Sequence, residues 1–73
     1  MNLSEVNMVR LELNMTGSEI DAIVDTLEEC ISDLNMEIAD TEQMEYREEL
    51  KNKRVTIRKF INLLKEKELA TNN

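Results

Sequence analysis

Charged side chains are the only residues here whose number and spacing suggest chemistry. Arg47, Lys51, Arg54, Arg58 and Lys65 recur at intervals of 4, 3, 4 and 7, so on a helix they fall on one stripe. A basic stripe of this kind holds phosphate groups by charge-assisted hydrogen bonds. Its ligand would be a phosphorylated nucleotide signal or a short RNA, although no aromatic lies within the stripe to stack a base. A second set, Asp21, Asp25, Glu28, Glu29 and Asp33, makes a dense negative face. On a rigid helix such a face imitates a phosphate backbone and occupies the nucleic-acid site of another protein.

The two sets are segregated. Ser18 to Asp40 holds eight acids and no base, whereas Arg47 to Lys67 holds eight bases and three acids. The simplest account is internal: an acidic helix lies antiparallel to a basic one. Each exposed flank pair then contributes at most about 1 kcal/mol.

Other chemistry finds little to work with. The sequence has no histidine, so nothing of that kind activates Ser4, Ser18 or Ser32. Its one cysteine, Cys30, makes neither an internal disulfide nor a zinc site. Cys30 falls on the apolar side of an acidic helix, and packing is its expected role. Glu28 and Glu29 are adjacent and point apart, while Glu45 and Glu49 share a face but lack a histidine for a di-metal site. Neither a calcium loop nor a glycine-rich phosphate loop is present. The five methionines read as gap-fillers or interface contacts. No enzymatic activity, cofactor or metal is expected.

Whole-chain quantities narrow the partners. At 73 residues the chain is at most one domain, and a core this small is marginal without a disulfide, a metal or a partner subunit. With the first two excluded, self-association is the expected extra source of stability. The net charge of −7 disfavours direct binding to nucleic acid or anionic membrane. Neither a signal peptide nor a membrane-spanning run is recognisable, and a lone thiol suits a reducing cytoplasm.

The elements that must position these charges are helical, because the chain has no proline and Gly17 is its only glycine. One segment departs from this. Val9, Leu11 and Leu13 alternate with Arg10 and Glu12, which predicts a strand over about 6–13. A lone strand needs a partner, and the natural one is the same strand of a second copy about a two-fold axis. Met15-Thr16-Gly17-Ser18-Glu19-Ile20 then forms a capping box with a Met15–Ile20 staple.

The helix that follows, about 17–39, carries Ile20, Val24, Leu27, Ile31, Leu34 and Ile38 at spacings of 4, 3, 4, 3 and 4, an a/d seam. Ile23 and Cys30 widen that stripe. A new start is expected at Asp40-Thr41-Glu42-Gln43-Met44, with Asp40 as cap, Gln43 at N3 and an Ala39–Met44 staple. The alternative is one unbroken helix from Ser18 to about Leu69. The second helix, about 41–69, carries Leu50, Ile57, Ile61 and Leu64, with Tyr46, Val55, Phe60 and Leu63 alongside, and its stripe is interrupted near Lys53 and Arg54. In a hairpin Val24 is expected to face Ile57, Leu27 to face Arg54 and Ile31 to face Leu50. Residues 70–73 are expected to fray.

This layout, a short strand Val9–Leu13, the Thr16–Glu19 cap, the acidic run Glu19-Ile20-Asp21-Ala22-Ile23-Val24 and a Glu/Lys-rich second helix, resembles small proteins encoded by phages and prophages. The resemblance covers most of the chain and carries over no functional residue. It implies a protein that binds and blocks a host protein, such as a defence nuclease, or one that sequesters a nucleotide signal. The expected architecture is a β-α-α protomer with an antiparallel helical hairpin. Two copies pair into a four-helix bundle through Val9, Leu11, Leu13, Ile20, Leu27, Ile31, Ile57, Ile61 and Leu64. The expected function is non-enzymatic inhibition of a host defence or nucleic-acid-handling protein by surface occlusion in the cytoplasm. The alternatives are an oligomeric nucleotide sponge and a structural or regulatory helical-hairpin subunit.

Overall fold

In the computed structural model, which describes residues 8–71, two helices form an antiparallel hairpin: α1, Gly17–Asp40, and α2, Met44–Thr71. The start of α1 follows from its capping box. Thr16 Oγ1 accepts from the Glu19 amide at 3.1 Å, and Glu19 Oε1 accepts from the Thr16 amide at 2.8 Å. Two amide donors that a helix start leaves unpaired are thereby satisfied. Gly17 also leaves space at this end, where an added Cβ would stand 3.2 Å from Glu68 Oε2.

The hairpin turn is made without glycine or proline. Thr41 leaves the helix in an extended conformation (φ −84°, ψ 139°), and its amide still donates to the Glu37 carbonyl. Arg47 Nη2 donates to the Thr41 carbonyl at 2.6 Å, and Thr41 Oγ1 accepts from the Gln43 amide at 3.3 Å. An orphan carbonyl at the end of α1 is thus met by a cation from the first turn of α2.

This turn differs from the expected one. Asp40 remains in α1 and caps nothing. Gln43, whose carbonyl accepts from the Arg47 amide at 2.9 Å, opens α2 three residues late. The expected Ala39–Met44 staple is not formed, because both side chains are exposed.

Burial concentrates between the helices. Ile20, Val24, Ile31, Ile61 and Leu64 form the core, with Met15, Leu27, Ile57 and Phe60 half-buried against it. Leu50 is buried closer to the turn. Ile20, Ile31, Ile61 and Leu64, named above for self-association, are therefore enclosed within the hairpin, whereas Val9, Leu11 and Leu13 are exposed.

The helices are offset from the expected pairing. Arg54 meets Asn35, eight residues along α1 from Leu27. The later start of α2 moves the turn, and Arg54 is displaced along α1 with it. Residues 8–16 are neither helix nor strand. A ladder needs a second extended segment, and none lies among the described residues. The expected strand positions 6 and 7 lie outside the described residues, as do 72 and 73 of the tail. Residues 70 and 71 are helical instead of frayed.

Candidate functional site

The basic stripe is not one surface. Continuing the α2 seam from Leu50 and Ile57 at heptad spacing places Arg47, Arg54 and Glu68 in it as well, at 47, 50, 54, 57, 61, 64 and 68. Arg47 and Arg54 are accordingly half-buried. Arg47 closes the turn, and its Nε is buried with no hydrogen-bond partner. Arg54 Nη1 donates to Asn35 Oδ1.

The other three cations line the hairpin's edge. Lys51 pairs with Glu48 one turn before it at 3.4 Å, and Lys65 reaches Glu28 across the hairpin at 3.8 Å. Arg58 shares a shallow groove with Glu28, Ile31, Ile61, Asn62 and Lys65. A phosphate entering that groove would meet the Glu28 carboxylate as well as the cations. The structure does bring Arg58 and Lys65 together, but Arg47 is held to the turn, Arg54 to Asn35 of α1, and Lys65 to Glu28.

The acidic set divides differently. Asp21 stands beside the Glu68 carboxyl, and Glu28 is paired with Lys65. Asp25, Glu29 and Asp33 are exposed, follow one another at intervals of four on the outer side of α1, and have no hydrogen-bond or ion-pair partner among the described residues. A rise of about 1.5 Å per residue spaces these carboxylates about 6 Å apart along the axis. Lysines and arginines of α2 lie on the far side of the hairpin seam. This row is therefore the part of that acidic set which the fold leaves directed outward.

Two further contacts were not apparent from the sequence. Tyr46 Oη donates to Glu37 Oε2 at 2.8 Å. That hydrogen bond, the Glu37 charge, partial burial and Glu49 all raise the phenol above its ordinary value. Glu68 sits in the seam beside Asp21. Partial burial first, and then the hydrogen bond and charge of Asp21, raise its carboxyl. Extending the heptad one step past Leu64 would have found Glu68. No local signal marks the Tyr46 partner.

Cys30 is exposed, contrary to the packing role expected for it. Ile23 is likewise 38% exposed, so the stripe widening they make is left largely uncovered by α2. Among the described residues no group of three or more Cys, Asp or Glu side chains is placed to hold a metal ion. No described helix is long and apolar enough to cross a membrane. No family model, curated protein or solved structure matches this chain.

Proposed function

We propose that the chain is a non-enzymatic interaction protein that docks the outer row of α1 on a basic protein surface and acts by occluding it. The observation that carries this reading is the row Asp25, Glu29 and Asp33, exposed at regular spacing with no cation of the described chain upon it. A rigid anionic row matches a surface built to hold phosphates, and like-charge repulsion keeps it off nucleic acid itself. The resemblance to phage-encoded proteins gives the direction of the blockade, towards a host defence or nucleic-acid-handling protein. The nucleotide-sponge alternative is weakened because Arg47 and Arg54 are spent inside the hairpin.

The test is native mass spectrometry of the tagged chain recovered from bacterial lysate, alongside the triple variant Asp25→Lys, Glu29→Lys, Asp33→Lys. A stoichiometric basic protein is expected on the parent. Charge reversal should weaken its binding by at least about tenfold, and added salt should slow its association. Equal recovery on parent and variant would overturn the reading, as would the absence of any protein partner together with no effect on host growth or phage infection.

A further inference from the structure

The hairpin has two unlike broad faces. The Tyr46–Glu37 hydrogen bond marks one of them. One and two heptads along from Glu37 on the same side stand Cys30 and Ile23, and two heptads from Tyr46 stands Phe60. The Lys65–Glu28 pair marks the other face, and the same spacing places Asp21, Arg58 and Lys51 there. One face thus carries Ile23, Cys30, Tyr46 and Phe60 with Glu37, Lys53 and Lys67 among them, and the other is polar or charged throughout. The extended segment adds to the apolar side, because Val9, Leu11 and Leu13 line a groove with Phe60 and Leu63. Val9 is 81% exposed, Leu11 60% and Leu63 44%.

The dimensions say how much cover is missing. The molecule measures 46 × 31 × 14 Å. A helix with its side chains is about 10–12 Å across, so the hairpin is a single layer where domains are ordinarily built from two. The chain's accessible surface is 6321 Å² at a mass of 8.5 kDa. A compact monomer of that mass exposes about 4,650 Å². The extended segment 8–16 and the uncovered single-layer hairpin both contribute to this excess, which exceeds the ~800 Å² that each partner gives to a standard interface.

We infer that the apolar face is the interface of a two-fold dimer of this chain, with the Val9–Leu13 segments of both copies at its edge. Charge decides how the layers cross. Acidic α1 lying on its own copy would bring Asp33 and Glu37 against their equivalents. A two-fold axis that places α1 over the partner's α2 brings them instead to the side that carries Lys53 and Lys67. The second layer completes the core over the half-buried Leu27, Ile57 and Phe60. Asp25 and Glu29 of the outer row stay outside the interface and Asp33 stands at its border, so the two readings share one residue and are tested by different variants.

Sedimentation velocity of the full chain over a concentration series tests it, with circular dichroism to show that each variant keeps its helices. The parent should sediment as a dimer. Leu63→Lys and, independently, Leu11→Lys should weaken dimerisation at least about tenfold, and Leu11 is outside both helices, so its replacement leaves them to fold. Val55→Lys, at an exposed residue away from this face, should leave the dimer intact. Cys30 supplies a second readout: its reaction with a thiol reagent should slow as protein concentration rises. A parent that stays monomeric up to about 1 mM, the weak end of the affinity scale, would overturn the inference. A dimer broken by Arg58→Glu but not by Leu63→Lys, or a Cys30 reactivity independent of concentration, would do the same.

Discussion

The two helices of this hairpin solve the same packing problem with different residues. α1 presents six apolar seam positions in succession, Ile20, Val24, Leu27, Ile31, Leu34 and Ile38. α2 presents Arg47, Leu50, Arg54, Ile57, Ile61, Leu64 and Glu68. Each polar member of the second seam has a defined neighbour on α1 or the turn: the Thr41 carbonyl, the Asn35 amide group and Asp21. Apolar contacts are non-directional and would tolerate a slide of one heptad. The guanidinium contacts would not, because a slide leaves a half-buried charge without its acceptor. One helix supplies adhesion and the other supplies register. Their ends differ in the same way, since α1 opens with a reciprocal cap whereas α2 opens with a single 3.3 Å hydroxyl contact.

The largest test of this contrast is at Leu64, where only 1% of the side chain is exposed. Leu64→Ala should cost about 2–5 kcal/mol. A chain of this length has stability of order 5 kcal/mol, so chemical denaturation should find the variant mostly unfolded. A cost below about 1 kcal/mol would mean that adhesion lies elsewhere.

Next comes the asymmetry of the ends. Thr16→Ala should cost about 1 kcal/mol through the lost capping box, and Thr41→Ala only a few tenths. Equal losses in parallel thermal melts would remove the distinction.

The smallest effect is expected at Glu68. Its carboxyl is raised in the folded chain, so the fold holds that proton to a higher pH than the unfolded chain does. Protonation therefore favours the fold. The contribution is fully present below the ordinary carboxylate range and is lost as pH rises through the raised value. Glu68→Gln should melt higher than the parent at neutral pH, with the difference closing on acidification. A difference that is constant with pH would show that the seam carboxyl does not feel its surroundings.

Much of α1 was legible because its signals are short-range. The Thr16–Glu19 box spans four residues, and the seam repeats within one helix, so the helix expected at about 17–39 is observed at Gly17–Asp40. The start of α2 was not legible. Asp40-Thr41-Glu42-Gln43 has the composition of a cap, but Asp40 is held in α1 by the helix before it, and the break is fixed by Arg47 reaching back six residues. The stripe through Arg47, Lys51, Arg54, Arg58 and Lys65 was readable as a periodicity. Its division into seam residues and edge residues was not, because a spacing of 3 and 4 fits both. Cys30 was misplaced for a related reason: a position beside the seam packs only if a second layer covers it.

What the sequence determined by itself was local: helix type, the first cap, and the separation of acid from base along the chain. These depend on residues within a turn or two of each other. Only the tertiary structure decided which arginines were consumed, which carboxylates were left facing outward, and which face of the hairpin remained bare. Those outcomes depend on the offset between two helices, and that offset is set by contacts between residues far apart in the chain, such as Asn35 and Arg54.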